Sequence, residues 1–194
     1  MKRRVFEALP VLGDEAARWM ERARAALGPD TNARLARADG LHLTLFFLGD
    51  VEEERLPAIW DAVREATRGC AAPRCTVDHT GAFPRFERPR VLWLGLREEP
   101  GMEGRLEHLW RAVLGAVERA GFALERECER GFQPHVTVAR LRAGARPRIG
   151  AFASLALAGR FRARDLALME SLRGPGAARY SVLETRALED PDSG

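Results

Sequence analysis

The sequence predicts an α+β fold built on antiparallel sheet, and three observations point there. Stretches that alternate polar and apolar residues with period two, the mark of a half-buried strand, outnumber stretches with helical periodicity. The two kinds do not follow the steady βαβ rhythm of a parallel sheet. One strand pattern also occurs twice: Leu41-His42-Leu43-Thr44-Leu45 returns as Pro134-His135-Val136-Thr137-Val138, 93 positions later in a chain of 194 residues. That repetition points to an internal duplication, with two halves packed about a pseudo-twofold axis.

Each element has its own signal, in chain order. Arg4 to Leu9 reads as a strand closed by Pro10. Asp14 offers a helix N-cap, and Ala16, Trp19, Met20, Ala23 and Leu27 recur at helical spacing until Gly28-Pro29 ends the run. A loop through Asp30 leads to the first motif strand, which continues to Phe47 before Gly49-Asp50 turns it. Glu52 to Thr67 is a second amphipathic helix, acidic at its start and carrying Leu56, Ile59, Trp60 and Val63 on one face. Cys75 to Phe83 and Arg90 to Leu96 are strands, separated by a basic, aromatic loop with Arg85, Phe86, Arg88 and Arg90. The turn Arg97-Glu-Glu-Pro-Gly101 stands at the midpoint between the two halves. A third helix spans Met102 to Ala120, with Gly121 at its C-terminus. A charged segment from Glu125 to Arg130 precedes the second motif strand, Phe132 to about Leu141. Arg142 to Arg148 is a loop at the cleft edge and Ile149 to Leu155 a short helix. Arg160 to Arg164, Leu166 to Leu172 and Arg179 to Leu188 are strands, the last two joined by a Gly174-Pro175-Gly176 turn.

Composition bounds the function. Hydrophobic residues make up 46% of the chain, enough for a sizeable core, which excludes a disordered protein. Net charge is +3, a mild excess that suits a phosphate-bearing partner, although Lys2 is the only lysine and the wealth of arginine reads as a compositional habit. Three cysteines, Cys70, Cys75 and Cys128, are too few and too irregularly spaced for a disulfide framework or a zinc site, so free thiols in a reducing compartment are expected. Glu7, Pro10 and Asp14 interrupt any leader-like apolar run, and no later stretch is long and apolar enough for a membrane. A cytoplasmic monomer is the expectation.

The chemistry lies in the doubled motif. Period two puts His and Thr on one face, with Leu41, Leu43 and Leu45, or Val136 and Val138, turned into the core. Side chains two apart stand roughly 6 to 7 Å from one another, so an imidazole and a hydroxyl can grip different oxygens of one phosphate. With an ordinary pKa of about 6.5, one neutral and one protonated His can coexist as general base and general acid. Parity places Phe46 with His42 and Thr44, as a cleft wall that touches a base or as ordinary packing. Arg140, three after Thr137, falls on the opposite face unless a bulge redirects it. His79, outside any His-x-Thr, reads as structural, and His108 as a surface residue of the third helix.

With these residues in view, the chain resembles the 2H phosphoesterases, and within them the RNA 2′,3′-cyclic phosphodiesterases also known as 2′-5′ RNA ligases. The resemblance rests on His42-Leu-Thr-Leu-Phe-Phe-Leu-Gly49, Gly81-Ala-Phe-Pro84, Arg88-Pro-Arg-Val-Leu-Trp93, Phe132-Gln-Pro-His-Val-Thr-Val-Ala-Arg140 and Leu166-Ala-Leu-Met-Glu-Ser171 ahead of Tyr180. It implies two pseudo-symmetric lobes of antiparallel sheet backed by helices around a central cleft. Residues 1–190 would then form one bilobal domain and 191–194 a tail. It also implies hydrolysis of a terminal RNA 2′,3′-cyclic phosphate to a 2′-phosphate, catalysed by His42 and His135 without metal or other cofactor. Thr44 and Thr137 would bind the phosphate, Arg140 would stand near it, and the reverse reaction would join RNA ends. His42 is favoured as the acid and His135 as the base, though the pseudo-symmetry leaves the order open. Rival readings are a 2H enzyme for another cyclic nucleotide or a 2′-5′ linkage, an RNA-binding module without turnover, and, least favoured, a two-histidine metal site.

Overall fold

The structure, a computed structural model, describes residues 1–29, 33–124, 131–142, 149–156, 159–172 and 178–190. The charged segment with Cys128, the stretch 143–148, the Gly174-Pro175-Gly176 turn and the tail 191–194 lie outside them. The elements are β1 (Lys2–Pro10), α1 (Asp14–Leu27), β2 (Ala33–Leu35), β3 (His42–Glu52), α2 (Leu56–Ala66), β4 (Arg74–Phe83), β5 (Val91–Glu98), α3 (Arg105–Arg119), β6 (His135–Leu141), α4 (Ile149–Ala153), β7 (Arg160–Arg162), β8 (Asp165–Leu172) and β9 (Arg179–Ala187). This is the expected α+β class.

Among the described residues all these strands pair antiparallel, in one nine-stranded sheet of order β7-β4-β5-β6-β3-β1-β8-β9, with β2 added against β6. The two lobes are therefore halves of a single sheet, β6-β5-β4-β7 and β3-β1-β8-β9, arranged as mirror sequences about the β6/β3 junction. The motif strands do not face each other across a gap; they lie side by side. Nor does the Arg97–Gly101 turn divide the halves, because β4 and β5 before it belong with β6, while β8 and β9 cross back to β1.

Alternation fails at equivalent places in the two motif strands. In β3, Ala8 pairs with Thr44 and Glu7 with Phe46, so Leu45 is skipped; in β6, Trp93 pairs with Thr137 and Leu92 with Ala139, so Val138 is skipped. Each bulge inserts one residue directly after the motif Thr and flips the parity of the strand beyond it. Phe46 is thereby turned into the core at 3% exposure, while Phe47, at 56%, takes the face of His42 and Thr44. Arg140 is brought round to the face of His135 and Thr137 by the same device. A second irregularity in β3 skips Leu48 beside Gly49, whose φ of +78° suits glycine, and the strand runs on to Glu52 instead of turning there.

Smaller differences have local causes. Asp14 is the first helical residue rather than the N-cap, which is Gly13 with no side-chain hydrogen bond, so Asp14 acts on the helix end through its charge. The acidic start of the second helix is a separate 3₁₀ turn, Glu53–Arg55, with Pro57 in the first turn of α2. β2 lies in the expected loop, since a strand of three residues is too short to display a period. Gly121 closes α3 with its N–H on the Glu118 carbonyl and the Phe122 N–H on that of Val117, the Schellman pattern.

The helices cover one face of the sheet. Trp19, Leu27, Ile59, Trp60, Leu109, Val113 and Phe152 from α1 to α4 join Val5, Leu9, Leu43, Leu92, Leu94 and Val136 from the strands in the main core. The opposite face carries a small cluster of Phe6, Ala8, Ala167 and Met169 with Tyr180 packed on it. Cys70 and Cys75 are buried free thiols. Among the described residues no helix is long and apolar enough to cross a membrane.

Glu7 is a buried exception in β1, fully inaccessible, with neither carboxylate oxygen hydrogen-bonded among the described residues. Burial alone pushes its pKa up to about 8, so the folded protein holds it protonated at neutral pH while the unfolded chain ionises it near 4.5. A raised acid pKa means that stability falls as pH rises from about 4.5 to about 8. Urea denaturation at pH 5, 7 and 8.5 should show Glu7→Gln gaining on wild type as pH rises, by on the order of 2–4 kcal/mol between the extremes. A difference that does not vary with pH would show that Glu7 does not titrate with folding.

Candidate active site

The half-sheets are joined at one residue pair, Leu43 opposite Val136. Both side chains are fully buried beneath the sheet, which raises their neighbours on either side to the open face. Continuing the antiparallel register sets His42 against Thr137 and Thr44 against His135. The four polar side chains thus form a quartet about the pseudo-twofold axis and line one cavity. Beyond the junction β6 turns from β3 to β2, through Leu35 opposite Ala139 and the Ala36 N–H on the Val138 carbonyl at 2.8 Å.

The two imidazoles are held alike. Nδ1 of His42 lies 2.8 Å from the Gly40 carbonyl and Nδ1 of His135 2.8 Å from the Gln133 carbonyl, each two residues upstream. A carbonyl only accepts, so Nδ1 carries the proton in both rings and Nε2 is left bare in the neutral form. Each ring is also wedged between aromatics. His42 packs on Phe6 (4.8 Å between centroids) and edge-on to Tyr180 (4.6 Å); His135 packs edge-on to Phe83 (5.1 Å) and on Trp93 (5.5 Å). Trp93 lies flat over Gly81, where a Cβ would stand 2.1 Å from the indole, and His79 lies over Gly95, where it would stand 2.3 Å from the imidazole. Glycine at these two positions is a matter of space: the second half-sheet needs it to seat the rings that back His135.

Burial sets the protonation. It lowers the pKa of His42 to about 4, against the stabilising Gly40 carbonyl and with the charge of Arg140 and of His135 lowering it further. His135 is lowered by burial first and by the charge of Arg140, opposed by the Gln133 carbonyl. Both rings are therefore neutral near pH 7.

A cavity of about 670 Å³ opens over the quartet and takes in His42, Thr44, His135, Thr137 and Arg140 together, with walls from Phe47, Phe83, Trp110 and Phe132 and with Arg90 at its rim. The structure therefore brings together all four motif residues expected from sequence, and Arg140 with them. Phe46 borders the cavity but belongs to the core, packed against Phe122. Of the basic loop, Arg90 reaches the cavity; Arg85 and Arg88 do not line it, and Phe86 packs against the core. His79 leans on Trp93 outside the cavity, with Asp78 3.1 Å from its Nδ1, and His108 is exposed on α3, as expected. Phe83, Phe132 and Tyr180 stand in stretches that carry the family resemblance but have no role assigned from sequence, and Trp110 lies outside those stretches; the four reach the site from different parts of the chain, which no single motif spacing displays. Among the described residues no three His, Cys, Asp or Glu side chains converge as ligands for a metal ion.

Comparison with known proteins agrees with this geometry. The family model described as the 2′-5′ RNA ligase superfamily matches residues 12–175. An RNA 2′,3′-cyclic phosphodiesterase of Methanothermobacter thermautotrophicus is 30% identical over 95% of this chain and 98% of its own length. One from Archaeoglobus fulgidus is 32% identical over 58% of each chain, so that alignment spans little more than half of the relative. Among solved structures, TT0787 of Thermus thermophilus superposes with a TM-score of 0.78 at 28% identity, covering 97% of this chain and 99% of that one. Escherichia coli LigT complexed with 3′-AMP superposes with a TM-score of 0.71 at 29% identity over the same shares.

Both the desolvated ring and the bulge can be tested. In an NMR titration of the ligand-free protein the His42 ring protons should titrate near pH 4, well below the ordinary value of 6.5, and inorganic phosphate should raise the midpoint; a midpoint near 6.5 would show that the aromatic cradle does not exclude water. Phe46→Ala should cost about 3–5 kcal/mol of stability as a core truncation. Phe47→Ala should leave the midpoint of denaturation nearly unchanged and weaken nucleotide binding, and the reverse pattern would refute the bulge after Thr44.

Proposed function

The chain belongs to the 2′-5′ RNA ligase superfamily, and we propose that it hydrolyses the terminal 2′,3′-cyclic phosphate of RNA to a 2′-phosphate by acid and base catalysis from its two histidines. The observation that supports this most directly is the shared cavity, into which two imidazoles and two hydroxyls converge about one pseudo-twofold axis. A cyclic phosphodiester has the matching symmetry: two ester oxygens and two non-bridging oxygens around phosphorus. The relatives named RNA 2′,3′-cyclic phosphodiesterase, and the LigT complex with 3′-AMP, favour a nucleotide in that position.

In this reading Thr44 and Thr137 donate hydrogen bonds to the non-bridging oxygens, and Arg140 offsets their charge, which grows in the transition state. His135, neutral at Nε2, takes a proton from water as its oxygen attacks phosphorus in line. His42, protonated at Nε2, gives its proton to the departing 3′ oxygen. The product is a 2′-phosphate and a 3′-hydroxyl. In this assignment the bound phosphodiester anion raises the proton affinity of both rings, which lets one of them enter the reaction protonated. The same steps with an RNA 5′-hydroxyl in place of water form a bond from its oxygen to phosphorus, break the bond to the 3′ oxygen and yield a 2′-5′ linkage. Residues 1–190 act as one unit, since each half-sheet supplies one His and one Thr to the cavity.

The test is turnover of a short RNA ending in a 2′,3′-cyclic phosphate, with EDTA present and the product assigned by phosphorus NMR. Wild type should release a 2′-phosphate, and His42→Ala and His135→Ala should each lower kcat by about 10²–10⁴-fold. Equal turnover by the variants, or a 3′-phosphate product, would overturn the assignment.

A further inference from the structure

A second chamber, of about 450 Å³, adjoins the catalytic cavity and shares His42, Thr137 and Arg140 with it. Its character is different. Tyr180 is its one aromatic lining residue among the described residues; it carries Arg4, Arg34 and Arg142, which do not line the catalytic cavity, and among the described residues no carboxylate lines it.

The arrangement of these arginines is unfavourable without an anion. Arg34 of β2 and Arg140 of β6 are direct cross-strand partners, a placement in which like charges repel. Arg142 lies two residues beyond Arg140 and lines the same chamber. None of the three forms an ion pair with a described residue, whereas elsewhere Arg3, Arg18, Arg37, Arg64, Arg97 and Arg111 each hold a carboxylate. Guanidinium groups that have no ion-pair partner among the described residues and line one chamber offer donors to phosphate oxygens, and a bound anion converts their repulsion into attraction.

Resting on the phosphodiesterase reading, we infer that this chamber is a second phosphate site, and that it holds the phosphate on the 5′ side of the cyclic nucleotide. The terminal nucleotide of an RNA has a backbone phosphate on that side alone, so a strand whose cyclic end lies over the quartet has one direction in which to leave. The catalytic cavity offers aromatic rings for the terminal base, and the adjoining chamber offers charge for the backbone, the division used by grooves that track single strands. The enzyme therefore prefers substrates that carry this phosphate over a bare cyclic nucleoside phosphate.

The experiment compares kcat/KM for cytidine 2′,3′-cyclic phosphate and for the same compound bearing a 5′-phosphate, using wild type, Arg34→Gln, Arg142→Gln and the double variant. Wild type should favour the 5′-phosphorylated compound by about tenfold or more, a preference that shrinks with added KCl. The double variant should lose most of that preference while hydrolysing the bare cyclic phosphate at the wild-type rate, which also serves as the control for folding. Equal kcat/KM for the two compounds in wild type, or a preference that survives in the double variant, would overturn the second site and leave the phosphodiesterase reading standing. Failure of wild type to hydrolyse either compound or a cyclic-ended RNA would overturn both.

Discussion

The single pairing of Leu43 with Val136 is the contact on which the site depends. Each half-sheet presents one imidazole and one hydroxyl at this junction, half of what the cavity holds. Joining them through one apolar, fully buried pair puts the two motif strands in antiparallel register and fixes the diagonal relation of the histidines. The hydrophobic residues of the motif thus do more than anchor each strand. Their meeting below the sheet determines what meets above it.

Immediately after each Thr the pleat is interrupted, and these bulges determine the rest of the lining. Without the skipped Leu45, Phe46 would stand in the cavity and Phe47 in the core; without the skipped Val138, Arg140 would be turned away from the cavity. Because the bulges are equivalent, Phe47 and Arg140 are pseudo-symmetric counterparts, each five residues after its His. The duplication has diverged at this position into an aromatic surface on one side and a cation on the other, which makes a symmetric frame suitable for an asymmetric ligand.

Two buried titratable groups in neighbouring strands show opposite consequences of desolvation. The ring of His42 faces the open side of the sheet, wedged between Phe6 and Tyr180, and stays neutral while retaining one bare nitrogen for chemistry. Glu7 faces the core side of β1 and stays protonated with no described partner for either oxygen. In the first, the Nδ1 hydrogen bond to the Gly40 carbonyl recovers part of the lost hydration. In the second, nothing among the described residues recovers it, and its cost is borne by the fold.

The sequence alone determined the fold class, the boundaries of most helices and strands to within a few residues, and the identity of the two histidines and two threonines. Those features are local: a helical or two-residue period, a capping glycine, and a motif repeated with its core-facing neighbours. Only the tertiary structure decided that the two motif strands are neighbours in one sheet and not opposed walls, that β8 and β9 complete the first half, and that Phe47 and not Phe46 faces the cavity. It also brought Tyr180 to His42, Phe83 and Trp93 to His135, and Arg34 opposite Arg140. Parity counting assumes an unbroken pleat, and a bulge breaks it with no residue type that announces the break. Cross-strand partners are set by long-range register, which depends on how two distant segments bury their apolar faces together, and that information is absent from either segment read by itself.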